Sequence, residues 1–93
     1  MSDLSLSHSP RVLKIKNLLA HSALTPSYLE VIDDSHEHLG HAGAEQGAGH
    51  YTVIINSPLF AGQSPVKRHQ MVYEILGELI GPEIHALRIQ AGV

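Results

Sequence analysis

The sequence predicts one small α+β domain with the element order α-β-β-α-β, in which both helices pack on one face of a three-stranded mixed sheet. Two segments in which apolar residues recur with helical spacing each follow a Ser-Pro pair, and three short β-prone segments occupy the intervening chain. The chain has 93 residues, 43% of them hydrophobic and 16% charged. This length and composition suit a single domain with a modest core.

The first half of the chain predicts a helix and then a pair of strands joined by a long loop. Ser9-Pro10 supplies an N-cap and a first-turn proline for a helix that runs to about His21. Residues 28–32 and 50–56 are β-prone and should pair antiparallel. The segment 35–49 is rich in glycine and histidine and has no periodicity, which predicts a long, mobile loop. The apolar residues of the first helix are Val12, Ile15, Leu18 and Leu19, and those on one face of the second strand are Tyr51, Val53 and Ile55.

The second half predicts a crossover helix and a third strand. Ser64-Pro65 repeats the helix-start signal, and the helix should continue from Val66 to Ile80, where Gly81-Pro82 ends it. Residues 84–89 are β-prone. Because a helix joins them to the second strand, they should lie parallel to it with a right-handed connection. The apolar stripe of the crossover helix is Val72, Ile75, Leu76 and Leu79. Residues 1–9 are expected to form a flexible tail, so the predicted domain is 10–93.

Composition argues against several classes of function. The formal net charge is -3 and there are only six Lys and Arg residues, which argues against a protein that mainly coats nucleic acid. The absence of cysteine excludes a disulfide framework, a thiolate nucleophile and a zinc ribbon. With no nucleophile elbow or phosphate loop either, we expect no enzyme. The sequence shows no secretion signal and no long apolar run, so we expect a cytoplasmic protein without a membrane segment.

The predicted topology brings histidines together at one end of the sheet. The first strand ends there, and the second and third strands begin there. Imidazole titrates near neutral pH and binds borderline metals, so this convergence favours a metal-binding role for these histidines. Two plainer interpretations remain open: a hydrogen-bonding histidine in each strand, and a glycine-rich loop that captures adventitious divalent ions. The convergent histidines are His36, His38, His41, His50 and His85.

The remaining histidines are expected to lie outside that cluster. His69 belongs to the start of the crossover helix, roughly 16 Å away along the helix axis. His21 is at the end of the first helix, where an imidazolium would complement the helix dipole. His8 is in the N-terminal tail. We therefore expect no metal-binding role for these three side chains.

Five segments carry a resemblance to a known family. They are Leu29 to Ser35 (LEVIDDS), Gly49 to Val53 (GHYTV), Phe60 to Gly62 (FAG), Arg68 to Tyr73 (RHQMVY) and Ile84 to Leu87 (IHAL). Together they resemble the BolA family, and the resemblance extends from about Val12 to Ile89. It implies a fold related to the type II KH domain.

The resemblance also implies a function and its ligands. Members of this family partner a monothiol glutaredoxin and share a [2Fe-2S] cluster with it, for which the glutaredoxin side provides a cysteine and a glutathione thiol. The corresponding positions here are His85, at the start of the last strand, and His38, three residues after the last residue of the Asp34-Ser35 pair. His36 and His41 are possible substitutes for His38. Two imidazoles on one iron would give a Rieske-like ligand set, which raises the reduction potential.

The resemblance leaves DNA binding open as an alternative, because some BolA-like proteins are described as DNA-binding regulators. Lys67, Arg68 and His69 would then form a partner or nucleic-acid surface, although an ordinary exposed helix turn is the simpler interpretation. A KH domain grips nucleic acid through a Gly-x-x-Gly loop between two helices. The only such pattern here, Gly40 to Gly43, lies between two predicted strands. Alone, the protein is expected to be a monomer or a weak homodimer.

Overall fold

The element order of the protein is α-β-β-α-β, as the sequence predicts. A computed structural model describes residues 10–35 and 49–93. The elements are α1 (Pro10–Ala20), β1 (Tyr28–Asp33), β2 (Gly49–Asn56), α2 (Pro65–Leu76) and β3 (Ile84–Gly92), with short 3-10 helices at Pro58–Phe60 and Gly77–Leu79. The predicted tail and almost all of the predicted loop fall outside the described residues.

The three strands form one mixed sheet in the order β1-β2-β3. β1 is antiparallel to β2, with Tyr28 opposite Asn56 and Asp33 opposite Tyr51. β2 is parallel to β3. The end of β1 therefore meets the starts of β2 and β3 at one end of the sheet. We call it the histidine end, because it carries His50 and His85, and we call the other end, which Arg68 contacts, the arginine end.

Both helices contribute to one hydrophobic core on one side of the sheet. Tyr51, Val53 and Ile55 alternate along β2 and are at most 2% exposed, as their period of two predicts. On the other side of the sheet Tyr28 and Ile32 are exposed. The core residues from outside β2 are Val12, Ile15, Leu19, Leu24, Phe60, Val72, Leu76, Leu79 and Ile84.

Several predicted details need correction. Leu18 is 41% exposed, because it lies about 100° around the helix from Leu19 and so outside the buried stripe. The α-helical part of the crossover helix ends at Leu76, and the chain continues as a 3-10 turn from Gly77, which is a poor helix former. β3 extends to Gly92 rather than Ile89, since it pairs with β2 as far as Asn56.

Among the described residues, no helix is both long enough and apolar enough to cross a membrane. The relationship to the type II KH domain, which the family resemblance implies, stays a prediction.

Candidate functional site

Two of the predicted histidines meet at the histidine end. The ring centroids of His50 and His85 lie 5.1 Å apart, and the rings are tilted by 47°. His85 is exposed, whereas His50 is half-buried. The topological argument from the sequence therefore placed these two side chains correctly, although they are 35 positions apart in the chain.

A β-bulge displays His85. Gly49 pairs with Ile84, but the next residue of β2, His50, pairs with Ala86, so His85 is an extra residue in β3. Ile84 is 2% exposed and Leu87 packs against the core, whereas both residues between them are exposed. A bulge redirects side chains in this way and is frequent beside functional sites. Regular alternation would have turned one of the two residues between these core positions towards the helices.

The two ends of the segment that contains the loop histidines are joined at the same place. The Ser35 hydroxyl accepts the His50 amide at 3.0 Å, and the Asp34 amide donates to the His50 carbonyl at 2.8 Å. The Ser35 amide in turn donates to the Asp33 carboxylate at 2.8 Å. The chain thus leaves and re-enters the sheet beside His50. His36, His38 and His41 lie outside the described residues, so their positions relative to His85 stay predictions.

Gly49 has a specific steric role at this junction. A Cβ atom at Gly49 would lie 2.7 Å from the Ser35 hydroxyl oxygen and 2.5 Å from the Tyr51 hydroxyl oxygen. Both separations are far below van der Waals contact. Glycine therefore lets the incoming chain pass between these two hydroxyl groups without displacing either of them.

The Tyr51 hydroxyl lies in a polar cluster with Asp33, Ser35 and Arg11. Burial raises the pKa of the Tyr51 phenol, and the Asp33 carboxylate raises it further, while Arg11 and Ser35 act in the opposite direction. Tyr51 was predicted only as a core residue. Nothing in its sequence neighbourhood indicates Arg11, which arrives from α1, so the sequence offered no signal for this cluster.

Glu83 connects the start of β3 to α1. Its carboxylate accepts a hydrogen bond from the Lys14 ammonium at 2.7 Å and lies 3.6 Å from the Arg11 guanidinium. The hydrogen bond from Lys14 is the main reason why the pKa of Glu83 is lowered. The Glu83 carbonyl also accepts the Gly49 amide at 3.1 Å. The residue before the histidine-bearing strand is thereby held to both β2 and the first helix.

A small cavity of about 210 Å³ borders His50. Its charged lining residues have opposite signs, Asp34 and Arg88, and the Thr52 hydroxyl donates to the Asp34 carboxylate. Within residues 10–35 and 49–93, no group of three or more His, Cys, Asp or Glu side chains is placed to hold a metal ion. The described part of this end therefore offers a pair of neighbouring imidazoles.

Arg68 lies at the arginine end and acts as a structural anchor. Its guanidinium donates to the Gln63 carbonyl and to the Ala91 carbonyl, both at 2.9 Å, and lies 6.0 Å from the centroid of the Phe60 ring. Ala91 is six residues beyond His85 in β3, which corresponds to about 20 Å of strand. The Arg68 guanidinium thus joins the start of α2 to the end of β3.

The neighbours of Arg68 remain on the surface. Lys67 and His69 are exposed in the first turns of α2. His69 follows Arg68 directly and so belongs to the arginine end, as predicted. His21 is also far from His50 and His85 in sequence. Its Nδ1 atom lies 2.9 Å from the Asn17 carbonyl oxygen of α1. His8 falls outside the described residues.

Comparison with known proteins gives consistent sequence matches. A family model described as BolA-like protein matches residues 21–92. The chain is 42% identical over 69 residues to BolA-like protein 1 of Mus musculus, which covers 74% of this chain and 48% of that protein. It is 37% identical over 68 residues to the DNA-binding transcriptional regulator BolA of Escherichia coli (strain K12), covering 73% of this chain and 62% of that protein. The chain thus spans less than two thirds of either relative.

A further relative is a larger protein, SufE-like protein 1, chloroplastic/mitochondrial, of Arabidopsis thaliana. The identity is 41% over 73 residues, which is 73% of this chain and 20% of that protein. Because its name places it in organelles, the expected cytoplasmic location of the present chain stays a prediction.

Solved structures agree with the sequence matches. The BolA domain of SufE1 from Arabidopsis thaliana superposes with a TM-score of 0.78 at 37% identity, covering 90% of this chain and 92% of that one. The solution structure of BolA1 from Mus musculus gives a TM-score of 0.73 at 37% identity, covering 90% and 65%. On these matches in sequence and in fold, the chain belongs to the BolA family.

Proposed function

We propose that this protein is a non-enzymatic partner of a monothiol glutaredoxin, and that the two jointly bind a [2Fe-2S] cluster for iron-sulfur trafficking or iron and redox regulation. The ligands from this chain are His85 and, from the loop, His38. The observation that carries the proposal is the exposed His85 on its bulge, at the end of the sheet where the loop segment begins and ends.

The donor chemistry of the chain fits half of such a site. The whole sequence has no cysteine, so no thiolate ligand can come from this side. Imidazole is a known ligand of one iron in a [2Fe-2S] cluster, and the thiolates would come from the glutaredoxin cysteine and glutathione. When bound, the cluster supplies a one-electron redox centre with a raised reduction potential.

The residues around His85 would position and support the ligand. The bulge carries its imidazole out of the core, and the buried Ile84 fixes the start of the strand. The hydrogen bonds at Ser35 hold both ends of the loop segment at the same end of the sheet. This arrangement would restrict the volume that a loop imidazole can reach, since only residues 36–48 lie between the anchored ends. His36 and His41 are the substitutes for His38.

Two features support a binding role rather than catalysis. The relatives are named BolA-like proteins or a transcriptional regulator. None of these names describes an enzyme that acts through a BolA domain. The Asp33 and Asp34 carboxylates, which could orient a histidine base, accept hydrogen bonds from Ser35 and Thr52 instead.

Anaerobic reconstitution tests the proposal. The full chain is mixed with a monothiol glutaredoxin, glutathione, ferric iron and sulfide, and the complex is isolated and measured by visible absorption and CD. A shared cluster gives a spectrum that differs from that of the glutaredoxin alone. His38→Ala should change this spectrum, and replacement of His36 and His41 as well should weaken the cluster further. If no complex forms between the two proteins, the proposal is wrong.

DNA binding is the second candidate function. It is supported by the name of the Escherichia coli relative, which describes that protein as a DNA-binding transcriptional regulator. The contacts of the basic residues weigh against it, because Lys14 bonds to Glu83 and Arg68 bonds to backbone carbonyls. Lys67 remains as an exposed cation on α2. If DNA is bound at that surface, retention of a defined duplex should fall with salt, and Lys67→Ala should reduce the salt slope by about one. Retention that does not change in Lys67→Ala would exclude this surface.

A further inference from the structure

We propose that His50 and His85 form a two-imidazole site that binds one borderline divalent transition-metal ion, such as Zn²⁺ or Co²⁺, in the free protein. This site differs from the proposed cluster site in three respects. It binds a single metal ion, it uses His50, and it needs no glutaredoxin. It does not depend on the proposed function.

The distance between the rings fits a common ion. Two imidazoles that bind the same tetrahedral ion with metal–nitrogen distances of about 2.1 Å hold their ring centroids about 5 Å apart. The observed separation is 5.1 Å. The rings are tilted by 47° and are therefore not stacked in parallel.

The backbone already holds both histidines in place. The amide of His50 donates to the Ser35 hydroxyl and its carbonyl accepts the Asp34 amide, so His50 is fixed between β1 and β3. His85 is the extra residue of the bulge and follows the buried Ile84. A binding pair on two adjacent strands loses little backbone entropy when it takes up an ion.

The surroundings favour a particular class of ion. Imidazole is a borderline donor that suits zinc, cobalt, nickel, copper and ferrous iron, whereas calcium and magnesium prefer oxygen ligands. Arg88 and Asp34 both line the neighbouring cavity, so the positive charge next to the site is matched by a negative one. With two protein donors, water would complete the coordination, and the affinity should be below that of a three-histidine site.

The test must separate this pair from the loop imidazoles. The full chain carrying His36→Ala, His38→Ala and His41→Ala serves as the background, and it is titrated with Co²⁺ followed by visible absorption and with Zn²⁺ followed by calorimetry. We expect one ion per chain in this background. Adding His50→Gln or His85→Gln should lower the affinity at least about tenfold. Adding His69→Gln should leave it unchanged, because His69 lies at the other end of the sheet.

The fold is checked on the same samples. The hydrogen bonds that join His50 to Ser35 and Asp34 use its backbone atoms, which Gln also supplies. The CD spectrum and the amide chemical shifts outside the site, compared with those of the parent, check that His50→Gln keeps the fold. Equal binding by the background protein and its His50→Gln form would mean an adventitious ion only and would overturn the proposal, as would no binding by the background protein. Assembly of the shared cluster by His50→Gln in the otherwise native chain reports separately on the proposed function.

Discussion

The two ends of the sheet use their polar groups differently. At the arginine end, two polar side chains are engaged by the protein itself: Arg68 bonds to two carbonyls, and the buried Ser57 hydroxyl donates to the Leu24 carbonyl at 2.6 Å. At the histidine end, hydrogen bonds hold the backbone, while the imidazole of His85 is exposed. The first end closes the fold, and the second end presents side chains from a fixed frame.

This difference has a simple origin in the chain path. At the arginine end, Phe60 and the start of α2 fold back over the last residues of β3, so a long side chain from α2 can reach the Ala91 carbonyl. At the histidine end, β3 follows its connecting turn directly and opens with a bulge. The two ends can therefore be tested by mutations that affect stability at one and ligand binding at the other.

The largest effect on stability is expected from Arg68→Ala. It removes two hydrogen bonds from a charged group and leaves the Ala91 carbonyl without this partner, which should lower the free energy of unfolding by about 2–3 kcal/mol. Urea denaturation measures the change. The neighbouring His69→Ala is the control and should alter stability by no more than about 0.5 kcal/mol, since the side chain is exposed. A similar loss from both variants would show that Arg68 is not an anchor.

Gly49→Ala should be the next most harmful change, and it affects the frame of the histidine end. The added methyl group would meet the hydroxyl groups of Ser35 and Tyr51, so these side chains or the strand must shift, at a cost of about 1–3 kcal/mol. Gly77→Ala is a matched control, because no atom lies within 4 Å of the added carbon and the backbone is helical there. Thermal or urea unfolding of the pair separates the two. If Gly49→Ala were as well tolerated as Gly77→Ala, the close junction would be wrong.

A smaller effect is expected at alkaline pH. Because the pKa of Tyr51 is raised in the folded protein, the phenol favours folding while it is protonated. This contribution is fully present below the ordinary pKa of 10.0 and is lost as the pH rises from there through the higher folded-state pKa. Tyr51→Phe should therefore show a weaker loss of stability between neutral and strongly alkaline pH than the native chain.

Tyr28→Phe serves as the comparison for that experiment. The pKa of Tyr28 is raised as well, chiefly by its hydrogen bond to Glu30, but the side chain is exposed. Its replacement should change the alkaline stability less than that of Tyr51 does. The opposite order would contradict a buried polar cluster around Tyr51.

The element order and the meeting of His50 with His85 were predictable because each depends on signals within short stretches of sequence. The Ser-Pro pairs mark the helix starts, and the alternation of apolar residues marks β2. The rules for strand direction then place His50 and His85 at the same end of the sheet. The bulge was not predictable, since one extra residue in Ile84-His85-Ala86 leaves no mark on so short a pattern. The exposure of Leu18 was not predictable for a related reason: four apolar residues with helical spacing define a buried stripe only approximately.

Contacts between distant segments account for what else the sequence did not reveal. The hydrogen bond from Arg68 to Ala91 spans 23 positions, and Gly49 must be glycine only because Ser35 and Tyr51 approach it together. Neither relationship has a local signature. The role of His38 differs again: it was implied by the family resemblance and lies outside the described residues, so it is a prediction that the mutations in the loop must test.

The most direct measurement of the central claim is cluster assembly with a monothiol glutaredoxin by His85→Ala compared with His69→Ala. His85 is exposed, so its removal should leave the urea midpoint of the free protein within error. We predict that His85→Ala loses the distinctive absorption and CD of the shared cluster, while His69→Ala retains both. Equal spectra from the two variants, or equal loss from both, would contradict the assignment of the histidine end as the cluster-binding end.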